Sequence, residues 1–281
     1  MDSEARQAVR REILELYGVE PSESFDVGAA CAARIEYLKG FLRRTNRKGF
    51  VLGISGGVDS TAAGKLAQLA CQELRAEGYD AHFYALRLPA GIQHDEADAQ
   101  DALDFIGPDH VLNINIGPAA DALNHACVEA IVPGRVMTPG QIDYHKGNVK
   151  ARVRMAAQYY IAAVHEAVVL GTDHSAEAVP AFWTRGGDEI ADLLVLNGLN
   201  KRQVRMLAKH LLAPQHLWNK PPTADLEELN PGKLDEESFG FPYQALDDFL
   251  EGKPVSPDIE DMIIDAYERT RFKRDPMVRF S

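Results

Sequence analysis

At 281 residues, with 46% hydrophobic and 26% charged residues, the chain can bury a large core and has the composition of an ordinary water-soluble globular protein. A formal charge of −12 argues against a nucleic-acid partner, which calls for a basic face, and points to a small ligand whose charges are met locally. The apolar stretches fall far short of the roughly 18 residues of a membrane span.

The charged start, MDSEARQAVRREILEL, lacks the apolar core of an export signal. Cys31, Cys71 and Cys127 stand outside any CxxC spacing, as expected of reduced thiols in a cytoplasmic protein. Two helices open the chain, one with Val9, Ile13, Leu16 and Tyr17 on a shared face and one with Val27, Cys31, Leu38 and Leu42. These faces suit packing against the core or a second subunit. From Phe50 the pattern alternates. FVLGIS reads as a strand, Asp59 to Ala76 as a helix facing inward through Leu66, Leu69, Ala70 and Leu74, and HFYALRL as the next strand. A helix from Asp95 to Phe105 follows, then the strand HVLNINI, a helix from Ala119 to Ala130, a long helix from Asn148 to about His165, and the strand AVVLG. Apolar strands separated by helices predict a doubly wound parallel sheet flanked by helices, with ligands bound beyond the carboxyl ends of the strands. After Leu212 the chain turns proline-rich, with five prolines between Ala213 and Pro242 and little periodicity, as in a functional loop. A helix from Ser256 to about Phe272 closes the chain, and no internal repeat is evident.

The segment Gly53-Ile54-Ser55-Gly56-Gly57-Val58-Asp59-Ser60 joins the first strand of the sheet to its helix. Unpaired N–H groups at a helix start suit an anion, the glycines allow close approach, and Ser55 and Ser60 add hydroxyls. An isolated Ser-Gly-Gly also serves as a plain turn capped by Asp59. The Lys of a Walker loop is missing, since Lys65 lies too far into the helix. An acid beside a phosphate makes sense when Mg²⁺ stands between them, so the loop reads as a seat for pyrophosphate plus Mg²⁺. Taken alone, the other polar stretches are open to plainer readings. Arg87 and Gln93 flank a Pro-Gly turn that suits a solvated loop, and Glu177 in a first helical turn is stabilised by the dipole in any case. Asn148 and Arg152 share a helix face that suits a surface charge run.

The blocks LGISGGVDS, RLPAGIQ, KGNVKARVRMAAQY, GTDHSAEA, LNKRQ and KPPTADLEE occur in this order, and together they closely resemble the ammonia-dependent NAD synthetases of the N-type ATP pyrophosphatase (PP-loop) superfamily, from about Phe25 to Lys273. The resemblance implies an adenine-nucleotide alpha-hydrolase-like, Rossmann-like fold in one domain: N-terminal helices (1–48), a nucleotide-binding α/β core (49–212), a lid loop (213–242) and a C-terminal helical segment (243–281). It implies ATP binding by residues 53–60 with Arg87, Gln93, Thr172, Lys201 and Thr223, and Mg²⁺ held by Asp59 and Glu177. Deamido-NAD (nicotinate adenine dinucleotide) would be bound by Tyr144, Asn148, Arg152, Phe182, Arg185, Asp192, Phe272 and Lys273.

The reaction implied is ATP-dependent amidation of deamido-NAD with ammonia through an acyl-adenylate, giving NAD, AMP and pyrophosphate. No side chain is required as a covalent nucleophile, His174 is set aside as a ligand because hard Mg²⁺ prefers oxygen, and no glutaminase domain is expected. A cytoplasmic homodimer with small-molecule substrates, away from nucleic acid and membrane, completes the expectation. Three departures stand out: Arg185 replaces the family's usual Lys, Glu189-Ile190 replaces its usual Gly-Gly, and Phe272 replaces its usual His before Lys273. Two rival readings exist. A tRNA-modifying ATP pyrophosphatase would bring a basic RNA-binding segment, and a non-enzymatic nucleotide module would not need Asp59 paired with Glu177.

Overall fold

The computed structural model describes residues 3–91, 96–131, 134–223, 227–230 and 232–274. Among these, β1 (Gly49–Gly53), β2 (His82–Arg87), β3 (His110–Asn113), β4 (Val168–Gly171) and β5 (Leu193–Leu194) form one parallel sheet in the order β3-β2-β1-β4-β5. The chain winds outward from β1 to β2 and β3, then returns to the other side of β1 for β4 and β5. The junction of β1 and β4 is therefore the topological switch point, where a crevice opens beyond the strand ends. β1 and β4 are apolar throughout because both faces of the sheet are covered.

One face is packed by α2 (Val27–Thr45), α3 (Val58–Ala76) and α8 (Lys201–His210), around Leu38, Leu42, Leu66 and Leu207. Each of these leucines is sealed from solvent, so truncating one to Ala should cost about 2–5 kcal/mol. On the other face lie α5 (Gly117–Glu129) and α6 (Pro139–Val164), with Tyr84, Leu86 and Val169 beneath them. A separate cluster joins α1 (Ser3–Tyr17), the four-residue α7 (Ser175–Ala178), α11 (Tyr243–Leu250) and α12 (Pro257–Arg274) around Ile13, Phe249 and Ile263. The helices α4 (Glu96–Ile106), α9 (Gln215–Asn219) and α10 (Asp235–Phe239) complete the described chain.

The elements named from the sequence keep their types, whereas α8 and α11 were not named among them, and the other differences have local causes. α6 begins nine residues earlier than expected, because Thr138 and Gln141 form a reciprocal capping box with Pro139 at the first turn. Tyr144 and Asn148 therefore sit inside the helix rather than at its opening. β3 stops at Asn113, short of the expected seven residues. β5 was not foreseen; Gly171 lets it approach, since a Cβ there would meet Leu194 Cδ2 at 2.4 Å. Leu16, expected on the buried face of α1, is 62% exposed. Finally, the 213–242 segment contains α9, α10 and an antiparallel bridge between Thr223 and Leu234.

Candidate active site

The first turn of α3 follows directly from β1, so the phosphate loop lies at the switch point. Gly56 has φ +85° and backs onto α4, where a Cβ would stand 2.7 Å from Ala99 N; no other residue fits there without moving the backbone. Within the loop, Gly57 N donates to Ser55 Oγ (3.2 Å), Ser55 N donates to Ser60 Oγ (3.3 Å), and Thr61 Oγ1 donates to Gly57 O (2.8 Å). Gly53 N donates to Gln158 Oε1 of α6 at 2.9 Å. Arg87, at the end of β2, donates to Ile54 O and pairs with Glu96 at 2.6 Å, so it braces the loop from below. Lys65 faces away and donates to Phe105 O (2.9 Å), in keeping with a loop that uses no Walker lysine.

A cavity of about 330 Å³ opens over this loop. The described residues bring twelve of the expected positions to its lining: Gly53, Ile54, Ser55, Gly57, Val58, Asp59, Ser60, Arg87, Thr172, Glu177, Phe182 and Thr223. Gly56 shapes the loop from behind, and Gln93 lies outside the described residues. Three regions supply wall residues that the motif reading missed: Arg154 and Gln158 on α6, Asp173 and Asp188 near β4, and Lys220 and Asp235 in the 213–242 segment. Lys220 pairs with Asp98 of α4 at 2.5 Å, and Asp143 of α6 accepts from the backbone N–H groups of Glu228 and Leu229, so this segment is tied down on two sides.

At the floor of the cavity three elements meet. Asp59 comes from α3, His174 and Glu177 from the α7 turn after β4, and Lys201 from the start of α8, whose first turn is fixed by the Asn200–Gln203 capping box and by Asp247 accepting from Lys201 N (3.0 Å). Lys201 Nζ, with no solvent exposure, lies 2.8 Å from Asp59 Oδ2, 3.2 Å from Glu177 Oε1 and 3.2 Å from His174 Nε2, above the Tyr243 ring at 4.9 Å. Burial opposes charge on both partners. The Asp59 and Glu177 carboxylates nevertheless hold the Lys201 ammonium above its usual range, and that ammonium with the His174 ring holds Asp59 below the carboxylate range. Lys201, expected to face the triphosphate, is thus placed beneath the acids as their counter-charge.

Asp59, His174 and Glu177 also bring ligand atoms within 4.8 Å of one another, with the buried Asp59 Oδ1 3.3 Å from His174 Nε2. Two carboxylates converging on one point fit a hard divalent cation. Asp173 and Asp188 stand farther along the wall. Desolvation raises both carboxyls above the usual range, reinforced at Asp173 by Glu177, Asp188 and Glu189 and at Asp188 by Glu189 and Glu177.

The remaining expected positions make up an outer wall in which Arg152, Arg185 and Lys273 hold backbone carbonyls. Arg152 donates through Nε and Nη2 to Arg185 O (3.2 and 3.0 Å), Arg185 Nη1 donates to Phe272 O (2.5 Å), and Lys273 Nζ donates to Ala181 O (2.6 Å) and Trp183 O. Asn148 accepts from Thr184 Oγ1 at 2.9 Å. Glu189 folds back on its own turn and accepts from Gly186 N (2.7 Å) and Gly187 N (3.0 Å), which is how the reshaped turn is held. Tyr144 and the Phe272 ring are exposed. Asp192 lies at the β4 edge, accepting from Val169 N at 2.7 Å, and is not among the cavity-lining residues.

A parallel sheet with a glycine loop and two acids at its switch point defines a nucleotide-handling α/β enzyme site. Residues 30–277 match the NAD synthase family model. The NH(3)-dependent NAD(+) synthetase of Paraburkholderia phytofirmans is 51% identical over 97% of this chain and 93% of the relative, and that of Streptomyces coelicolor is 48% identical over 98% of each. Among solved structures, NAD+ synthetase from Burkholderia pseudomallei superposes with a TM-score of 0.80 at 44% identity, covering 96% of both chains. NMN synthetase from Francisella tularensis superposes with a TM-score of 0.77 at 31% identity, over 91% of this chain and 99% of that one. The chain belongs to the NAD synthase family, whose members named here are enzymes of the ligase class.

Proposed function

We propose that this chain performs the last step of NAD biosynthesis, the ATP-dependent amidation of deamido-NAD with ammonia. The observation that carries the reading is the convergence of Asp59 and Glu177 beneath the glycine loop at the β1–β4 switch point. In the first step the nicotinate carboxylate attacks the α-phosphorus of ATP, forming an acyl-adenylate and releasing pyrophosphate. In the second, ammonia attacks the acyl carbon, the acyl–phosphate C–O bond breaks, AMP leaves, and the nitrogen sheds a proton as the amide forms. The N–H groups of the 55–60 loop seat the departing pyrophosphate, while Arg87, Thr172, Thr223, Gln93 and the loop hydroxyls position the nucleotide.

Asp59 and Glu177 would hold Mg²⁺, which when bound supplies charge neutralisation at the phosphates. Lys201 keeps these two acids together beneath the site. Asp173 and Asp188 line the same cavity and extend its acidic wall beyond Glu177. The outer wall, from Tyr144, Asn148 and Arg152 through Phe182, Arg185 and Asp192 to Phe272 and Lys273, forms the side toward deamido-NAD. The 213–242 segment covers the reactive acyl group against water. A cytoplasmic homodimer fits this reading, supported by the exposed Leu123 of α5 and Tyr160 and Val164 of α6; among the described residues no helix is long and apolar enough to cross a membrane.

The test supplies ATP, Mg²⁺ and ammonium with deamido-NAD or with the deamido form of NMN, the latter because of the 31% identical NMN synthetase. AMP and NAD should accumulate together with deamido-NAD and fall to background when it is omitted. Preferential turnover of the mononucleotide, or AMP released without either acid, would reject the reading.

A further inference from the structure

A second cavity, of about 540 Å³, is lined in part by Tyr243, whose ring lies 4.9 Å from Lys201 Nζ of the acidic floor. One of its walls is α8, which presents Arg202, Arg205 and Lys209 at helical spacing, and Trp218 of α9 stands beside them. The charges on this wall are not equally committed. Arg202 pairs with Asp248 and Glu251, at 2.8 and 2.9 Å. Among the acids that face the cavity, Asp247 accepts from the backbone N–H groups of Lys201 and Arg202, and Glu236 accepts from Tyr243 N at 2.8 Å.

Arg205 and Lys209 form no ion pair among the described residues, and Arg205 Nε is buried without a hydrogen-bond partner. Lys209 instead lies over the Trp218 ring at 5.7 Å. Two cations without an acid partner among the described residues suit an anion, and the part-exposed Trp218 indole beside them, with Lys209 over its ring, offers aromatic surface once that side chain turns to the anion. The volume falls within the range of small-molecule sites, roughly 300–1,000 Å³.

We propose that this cavity is a second ligand site, distinct from the catalytic one, for a nucleoside monophosphate. Its phosphate meets Arg205 and Lys209, and its base lies against Trp218. Tyr243 links the two cavities: it lines the second, its hydroxyl donates to Asp235 of the first at 3.3 Å, and Lys201 sits above its ring. Occupancy therefore bears on the acidic floor through a shared side chain.

The site is read independently of turnover, so it stands or falls apart from the proposed ligase activity. The chain has two tryptophans, and Trp183→Phe leaves Trp218 as the only one. Titrating that protein with AMP should quench Trp218 saturably, and Arg205→Met with Lys209→Met should weaken the transition at least tenfold. Inorganic phosphate should compete with AMP but bind more weakly; equal affinity would overturn the stacking half of the proposal. Quenching unaffected by the double substitution, or no quenching at all, would overturn the site itself. Calorimetry on the unsubstituted chain provides a check that does not depend on variant folding. Two AMP sites per chain are expected, and a single site competed fully by ATP would reject the proposal.

Discussion

On the cavity floor a buried ammonium holds two carboxylates, whereas in the outer wall Arg152, Lys273 and Glu189 hold backbone atoms of the 181–190 turn and Arg185, from that turn, holds Phe272 O of α12. The difference in partners sets a difference in what each region can do. On the floor the charges face one another in a desolvated corner, where Coulomb interactions are strong and an added cation changes the balance directly. In the outer wall the charges are spent on carbonyls and N–H groups, so they fix the shape of a turn rather than present free cations. Binding energy from the wall should therefore appear as substrate affinity, and changes on the floor should appear in turnover and fold stability.

The sharpest way to break this contrast is to remove one floor charge at a time. Asp59→Asn leaves Lys201 paired with Glu177 at 3.2 Å, so the fold should survive, while turnover falls by about 10²–10³-fold once half of the acid pair is gone. Steady-state kinetics beside urea unfolding would check both halves; unchanged turnover would remove the metal-holding role from Asp59. Lys201→Met acts in the opposite direction, leaving two acids in a tight corner without their counter-charge. It should lower unfolding stability by roughly 3 kcal/mol, and Glu177→Gln in the same chain should restore part of that. The pH sign follows from Asp59, whose carboxyl is held below its usual range. In the parent chain the resulting stabilisation is present above the ordinary carboxylate range and fades as the solution is acidified. In Lys201→Met acidification should instead stabilise, because protonation relieves the repulsion.

The sheet and the phosphate loop could be read from the chain because their signals are local: apolar runs set strands, and Ser-Gly-Gly before a helix has few other uses. Asp59 was assigned from the chemistry of the glycine loop and Glu177 through motif resemblance, and the fold brings the two side chains together. Lys201 was found by the same route, yet its position under the acids depends on α8 packing on α3, a contact 142 residues apart that no local pattern carries. Arg154 and Gln158 were missed although they lie four apart on α6, where their polar side chains interrupt an otherwise covered face. The start of α6 carried a readable signature, Thr138-Pro139-Gly140-Gln141, that was passed over in favour of Asn148. β5, two residues long, is below what periodicity can show. Asp235 lay in a stretch read only as loop, and its burial depends on tertiary packing.

The outer wall can be probed through its self-capping acid. Glu189 accepts two N–H groups of its own turn, each bond contributing about 1 kcal/mol or somewhat more because the acceptor is charged. Glu189→Ala should raise KM for deamido-NAD about tenfold while KM for ATP and kcat stay within a factor of two, with Glu189→Gln recovering part of the loss. Equal losses in both KM values would show that the turn also supports the nucleotide side, and the contrast between wall and floor would fail there.

The smallest effect concerns Asp235, where the 213–242 segment meets the floor. Burial, then the charges of Glu177 and Asp59, push its carboxyl up to about 7 against the pull of Lys201 and the Tyr243 hydroxyl. One of its oxygens is buried without a hydrogen bond among the described residues, consistent with a group that prefers to be protonated. A carboxyl raised in the fold binds more protons folded than unfolded, so its favourable contribution is complete below the ordinary carboxylate range and is lost as pH climbs toward 7. Asp235→Asn should remove that loss. Its unfolding stability between pH 5 and 8 should vary less than the parent's and exceed it by about 1 kcal/mol at the upper end. The flattening should be partial, because Asp247, pushed by burial up to about 6, remains in the variant. Urea titrations at unit pH steps would measure both slopes. Parallel curves for parent and variant would place the proton elsewhere and leave Asp235 as an ordinary ionised carboxylate on the cavity wall.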